Sequence, residues 1–335
     1  MHILHYFELT LTLDSEKFSK LFNRAYEKST LYADSDNDDK YVDYTLASKG
    51  ITVTYHDKSH KKKVKFTINP DWLLGSDELD HDSIAKSLRK LETCIGDYFN
   101  SKYRLDDFKL TRMGLISDID VREREKVTAY LKVLQRIGKV KGFSPSSNSW
   151  IDDDICFCLE GNSNGIEFMI YDLEKLAKDQ LKEAASTRKK LKHWEKTEGI
   201  LRIEVWLTAP KAVQSFTDET VASKQIADLL KNSEEILVTT FARIIPFGDF
   251  YKKKKAMEII ARKVTDRTMR RKMIRLLVLI PEKKSLLLAQ KALNYRKIDK
   301  VMSAFFSIDL SPVTISKRHE TKYLENLYEF FIERH

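Results

Sequence analysis

The chain has 335 residues, 42% of them hydrophobic and 33% charged, with a formal net charge of +9 and a pI near 9.1. That length supports a sizeable core and two compact units, and so basic a balance suits a polyanionic partner. Three cysteines without a CxxC pair argue against a disulfide framework or a structural zinc site, and no apolar run approaches the roughly 20 residues of a membrane span.

The opening residues, HILHYFELTLTL, lack the basic stretch of a secretory leader, so the expected location is the cytoplasm. Alternation in YFELTLTL predicts a first strand over His5–Leu13, and Asp14 is the cap candidate of a following helix. DSDNDD (34–39) reads as a solvated acidic turn, because it lacks the glycine and distal glutamate of a calcium-binding EF-hand loop. YVDYTLAS and ITVTYHD are predicted strands on either side of Lys49–Gly50. A second hairpin through HDKSHKKK leads into VKFTINP, which Pro70 ends. His56 and His60 are four apart, but in a lysine-rich turn rather than on a helix, which does not suit a shared metal. HKKKVK (60–65) reads either as a DNA-backbone contact or as lysines guarding an exposed sheet edge.

A helix over 82–99 is followed by the strand LTRMGLISDID (110–120) and a second helix over 122–137. GKVKGFSPSSNSW is the clearest loop, and Cys156 and Cys158 share one face of a strand. Two further strands, EFMIYDLEK (167–175) and GILRIEVWL (199–207), enclose a charged helix over 173–196. Beyond PFGDF (246–250) the chain reads as helices with breaks at Pro281, Asn294–Tyr295 and Ser311–Pro312. Strands and helices in mixed order, with hairpins, predict an α+β domain over 1–248: a largely antiparallel sheet with flanking helices. A smaller all-helical basic domain is expected over 249–335.

Between Asp249 and Arg275 there are eleven Lys or Arg against three Asp or Glu, a local balance of +8. Met257, Ile260, Val264, Met273, Leu276 and Ile280 supply an apolar stripe at helical spacing. The segment can therefore pack on one side and present Lys252, Lys253, Lys254, Lys255, Arg262, Arg267, Arg270, Arg271 and Lys272 to a phosphate backbone. A solvated basic helix face is the alternative.

The three strands at 110–120, 167–175 and 199–207 carry charged or phenolic groups inside apolar runs, where a lone charge is costly unless paired or metal-bound. Period-two alternation puts Arg202 and Glu204 on one face, and likewise Arg112 and Asp118. One sheet face is thus expected to gather Arg112, Asp118, Tyr171, Arg202 and Glu204. Arg202 and Glu204 also read as plain cross-strand salt-bridge partners, and Tyr171, one of 14 tyrosines, as a packing residue.

These segments, in this order, resemble the replication initiators of filamentous phages and related rolling-circle plasmids. KKVKFTINPDWLL (62–74) is similar to that family's segment ending Asn-Pro-x-x-Leu. The strands LTRMGLISDID, EFMIYDLEK and GILRIEVWL are similar to its Thr-Arg-Ile-Asp-Leu-x-x-Asp, Tyr-Asp-Lys…Glu and Leu-Arg-Ile-Glu-Val strands. LSPVTISK (310–317) is similar to its late Ser-Pro-Val-Thr-Ile element. The resemblance implies origin binding followed by cleavage of one DNA strand through a tyrosine, assisted by Mg²⁺ or Mn²⁺. It implies Tyr171 as nucleophile, Asp118 and Glu204 as metal ligands with Asp120 and Asp172 in reserve, and Arg112 and Arg202 as groups that orient the acids or grip phosphate. DNA, as origin duplex and nicked single strand, is the implied partner, with a host helicase beside it and no membrane. The chain departs from the family at two positions. Gly114 stands where the first acid falls, and Leu173 where lysine follows Tyr-Asp. The alternative is therefore a non-catalytic DNA-binding descendant that acts as a repressor or origin-binding factor. No Walker A, GxGxxG, HExxH or GxSxG motif supports nucleotide-driven, dinucleotide, zinc-protease or serine-hydrolase chemistry.

Overall fold

The computed structural model describes residues 4–28, 30–34, 37–58, 61–74, 81–146, 155–183 and 197–332. The chain is α+β, with a large antiparallel sheet, helices flanking it and a helical C-terminal region. The strands are β1 (Leu4–Leu13), β2 (Leu31–Asp34), β3 (Asn37–Asp43), β4 (Ile51–Lys58), β5 (Lys61–Ile68) and β6 (Lys109–Asp120). They continue with β7 (Phe143–Pro145), β8 (Cys156–Gly161), β9 (Ile166–Asp172) and β10 (Ile200–Leu207). The order is β2-β3-β4-β5-β1-β6-β10-β9-β8-β7, and a separate pair joins β11 (Phe250–Tyr251) to β12 (Tyr323–Leu324). Spatial proximity divides the chain into two compact units interleaved in sequence. The first is Met1–Ser117, Asn164–Ile166 and Val205–Leu237, and the second Asp118–Ser163, Glu167–Glu204 and Val238–His335.

In the first unit, alternation makes the strands as expected. Phe7, Leu9, Leu11 and Leu13 are buried along β1, while Glu8, Thr10 and Thr12 point the other way. Leu4 is buried out of phase with them, because the register against β6 shifts between Leu4 and Phe7. Asp14 caps the helix Ser15–Glu27, its carboxylate accepting the Lys17 N–H at 2.8 Å. The hairpin β4–β5 pairs Ile51 with Ile68 through to Lys58 with Lys61. The tip residues Ser59 and His60 lie outside the described residues, as does part of the 34–39 turn.

One strand boundary differs from the sequence pattern: β3 stops at Asp43, and TLAS forms a turn and a short 3-10 segment. The reason is the Asp43 side chain, which accepts from the Thr45 N–H at 2.8 Å and the Thr45 hydroxyl at 2.5 Å and bends the backbone out of the ladder. Its other oxygen accepts the Tyr98 hydroxyl at 2.7 Å, and Tyr98 in turn meets the Tyr55 hydroxyl at 2.7 Å. Asp43 is 1% exposed, so this chain of polar groups is sealed inside apolar packing.

The second unit holds the helix Arg124–Leu134, the helix after β9 and the helices from Lys253–Lys263 onward, whereas Pro210–Gln214 and Ala222–Lys231 belong to the first. The charged helix after β9 is described as Leu173–Glu183, and the rest of its expected span, 184–196, lies outside the described residues. The helix Lys253–Lys263 leads through three residues to Arg267–Lys283, whose N-cap Asp266 accepts from Thr268 N–H at 2.7 Å. Of the expected apolar stripe, Ile260, Met273, Leu276 and Ile280 are buried. The helix does not break at Pro281 as the sequence predicts; it runs on to Lys283 and turns at Lys284, φ +50°. A proline so near the end forfeits little of the remaining ladder. Leu310–Ile315 is buried throughout and bridges to Asp249 and Lys252. Gly248 (φ +107°) admits that segment, since a Cβ there would lie 2.5 Å from the Leu310 carbonyl carbon.

Two outcomes follow for the first unit. Replacing Asp43 with alanine strands the Tyr98 hydroxyl and should cost roughly 1–3 kcal/mol in urea unfolding. Burial pushes the Tyr55 phenol up to about 12 and Tyr98 higher still. The folded state therefore prefers both phenols protonated. The Tyr55 contribution is complete below pH 10 and is lost as pH rises to about 12, with the loss from Tyr98 continuing above it, so unfolding midpoints should fall over that window and fall less in Tyr55→Phe.

Candidate functional site

The second unit brings four of the expected residues together on neighbouring strands. Tyr171 on β9 donates its hydroxyl to Glu204 Oε1 on β10 at 2.5 Å, and the two residues are 1% and 0% exposed. Arg202, two positions before Glu204, forks onto Asp118 of β6, with Nε to Oδ1 at 2.7 Å and Nη2 to Oδ2 at 2.9 Å. A bidentate guanidinium–carboxylate pair is the strong form of this contact. Burial, and next the Glu204 carboxylate, hold the Tyr171 phenol well above its ordinary range. Burial works against the Arg202 charge, but Asp118 outweighs it and keeps the guanidinium cationic. The chemistry of this arrangement is a phenol fixed as a proton donor. A phosphorus-attacking tyrosine needs the reverse, an accessible and deprotonated oxygen.

Arg112 belongs to a different setting, in the first unit. Its guanidinium carbon lies 4.4 Å from the Trp206 ring centroid and 6.0 Å from that of Tyr6, and its cross-strand partner on β1 is Glu8. The same indole fills the place beside Gly114, where a Cβ would come 2.6 Å from Trp206 Cη2. So the position at which the family pattern carries an acid is closed by tryptophan, with Arg112 stacked on it. Tyr6 and Trp206 are not among the expected site residues. Trp206 is readable as the next member of the Arg202, Glu204 series at period two. Asp120 is exposed at the end of β6, where Oδ1 accepts the Arg122 N–H at 2.8 Å and forms a turn.

The basic segment is displayed on two helices. Lys254, Lys255, Arg262, Arg267 and Arg271 are exposed, and Lys252 and Lys253 partly so. Arg270 is used inside the chain: its Nε and Nη2 donate to the Val264 carbonyl at 3.0 and 2.8 Å, closing the end of the preceding helix. Lys272 lies over the Tyr295 ring at 3.4 Å. Lys253–Lys255 occupy a first helical turn that contains no acid. The helix dipole disfavours cations there, and of the three only Lys255 is paired among the described residues, with Glu258 at 3.4 Å.

Among the described residues, no group of three His, Cys, Asp or Glu gathers as a ligand set. A Mg²⁺ or Mn²⁺ ion asks for about six oxygens, water among them. Both Asp118 oxygens are held by Arg202, and Glu204 is sealed from solvent against Tyr171. The donors in this arrangement do not fit such an ion, and no step below is routed through one. Cys156 and Cys158 do share a strand face, their sulfurs 3.2 Å apart.

Neither a protein-family model nor a curated protein sequence matches the chain. Among solved structures it is similar to a rolling circle replication initiator protein from Geobacillus stearothermophilus, at 11% identity and a TM-score of 0.35, with 94% of this chain and 98% of that one covered. So faint a likeness assigns no residue a role. Among the described residues no helix is long and apolar enough to cross a membrane.

Tyr171→Phe removes the donor that Glu204 accepts, and the loss should appear as roughly 1–3 kcal/mol in unfolding free energy. Gly114→Ala drives a methyl into Trp206 and should cost about as much, roughly 1–3 kcal/mol. Combining it with Trp206→Leu, which opens the space, should cost less than the two single changes added. Additive costs would mean that residues 114 and 206 do not meet.

Proposed function

We propose that this protein binds DNA as an initiator or origin-binding factor of rolling-circle replication, using the paired helices Lys253–Lys263 and Arg267–Lys283. The observation that carries the reading is the run of lysines over a first helical turn without acids, continued by exposed Arg262, Arg267 and Arg271. Cations held against the helix dipole, far in excess of nearby acids, are explained by a phosphate backbone. The ordered resemblance of five segments to rolling-circle initiators supplies the biological setting.

Strand cleavage is a second reading, favoured by the convergence of Tyr171, Glu204, Arg202 and Asp118. It asks the Tyr171 oxygen to leave a buried hydrogen bond and reach a phosphorus atom, so β9 and β10 would have to open around the DNA. The Gly114–Trp206 pair weighs against it, because an indole occupies the place of the family's first acid.

The test uses supercoiled DNA from the element that encodes the protein. Lys254→Gln, Lys255→Gln, Arg262→Gln, Arg267→Gln and Arg271→Gln together should weaken binding across sequences. The slope of log affinity against log salt should shrink by about 1 for each phosphate that is no longer neutralised. Unchanged affinity at low salt would assign these charges to a solvated face. With Mg²⁺ or Mn²⁺ added, a covalent protein–DNA adduct that disappears in Tyr171→Phe would establish the second reading over the first.

A further inference from the structure

A cavity of about 570 Å³ in the second unit lies away from the strand cluster and from the exposed cations just described. Its rim carries Lys141, Arg243, Lys291 and Arg296, all four exposed, against a single acid, Asp299. Among the described residues none of the four cations is in an ion pair; the contact of Arg243 is with the Phe143 ring, at 5.3 Å. Like charges gathered around a concavity repel one another and focus a positive potential into it, an arrangement that an anion relieves.

The floor differs in kind from the rim. Ile245 and Pro246 are buried and apolar, Met302 is half-buried, and these three continue into a neighbouring apolar hollow that ends at Phe306, 60% exposed, whose ring lies tilted against Phe247 with centroids 4.4 Å apart. Gln290 and Asn294 add amide groups able to donate and accept at the edge of a base. The helix Ile298–Phe306 begins at the cavity, and its first-turn N–H groups receive no side-chain cap. Lys272 on the ring of Tyr295, another lining residue, adds a fifth positive charge nearby.

We infer that this cavity is a nucleotide site, holding a phosphate on Lys141, Arg243, Lys291 and Arg296 with the base lying over Ile245, Pro246 and Met302. The size suits one nucleotide, since pockets for ligands of that class run from roughly 300 to 1,000 Å³. A duplex is too wide to enter. The ligand is therefore a free nucleotide or an unpaired nucleotide within a strand, and both present the same phosphate and base. This goes beyond duplex binding by the helices at 253–283 and stands or falls separately from it.

The full-length chain is titrated with fluorescein-labelled dT10, with dTMP and unlabelled duplex as competitors. Arg243→Gln, Lys291→Gln and Arg296→Gln together should weaken dT10 binding at least tenfold while duplex affinity changes by less than about twofold. Met302→Trp, which fills the floor without altering charge, should weaken dT10 binding as well. Displacement by dTMP identifies a free-nucleotide site; retention of dT10 against dTMP identifies a strand site; either agrees with the inference. Equal dT10 affinity in wild type and the triple variant overturns it. So does displacement by decaglutamate as efficient as by dT10, which would make the cavity a seat for an acidic peptide. Loss of duplex binding in the Lys254–Arg271 variant with dT10 binding intact would separate the two surfaces.

Discussion

A charge or a phenol set into a buried strand has to be matched by the strand beside it, and that requirement organises the centre of the second unit. Glu204 cannot be taken out of water alone. Tyr171 on β9 meets it from one side, while Arg202, its neighbour but one, is matched by Asp118 of β6. Breaking one member of such a set leaves an uncompensated buried group, so β6, β9 and β10 are held in one register by chemistry as well as by backbone pairing. The same completeness removes the cluster from easy use as a reaction centre. The Tyr171 hydroxyl, Glu204 Oε1 and both Asp118 oxygens are each engaged by another side chain.

Two parts of the molecule thus divide what the resemblance joins. The strand cluster carries the residue types that the resemblance names, but they are turned toward one another. The basic helices have the opposite character: cations raised from the surface, several at positions that cost helix stability and have few acids near them. Gly114 and Trp206 show the closure at the level of atoms. A residue without a side chain and a large indole fit one another, and Arg112 lies on the indole where an acid–metal arrangement would need open space. A fold whose strand cluster is closed and whose cations are displayed on the helices at 253–283 accounts for these observations together.

Much of this was legible in the residues. Period-two alternation located β1, β4, β5, β6, β9 and β10, and it put Arg202 and Glu204 on one face. The apolar stripe from Ile260 to Ile280 located the basic helices and their buried side. What alternation does not convey is which neighbour a polar group will choose. The pairing of Arg202 with Asp118 rather than Glu204 depends on strand order, a non-local property. The turn at Asp43 is made by its local contacts to Thr45, but the burial of that carboxylate against Tyr98 is not readable, because Tyr98 is distant in sequence. Pro281 reads as a helix stop, yet the helix runs through it to Lys283, at the loss of the one ladder bond its missing N–H would have made. The charged cavity was not foreseen at all, since Lys141, Arg243, Lys291 and Arg296 come from three separated stretches and only the fold assembles them.

Amide hydrogen exchange of the protein with and without its own origin DNA examines the central claim most directly, because it reports on every strand and helix in one experiment. The account predicts slowed exchange over 253–283 on adding DNA, with amides of β9 and β10 as protected as in the free protein. Faster exchange at Tyr171 and Glu204 on binding, with the helices at 253–283 unaffected, would contradict it and return the strand cluster to the role of a DNA-cutting site.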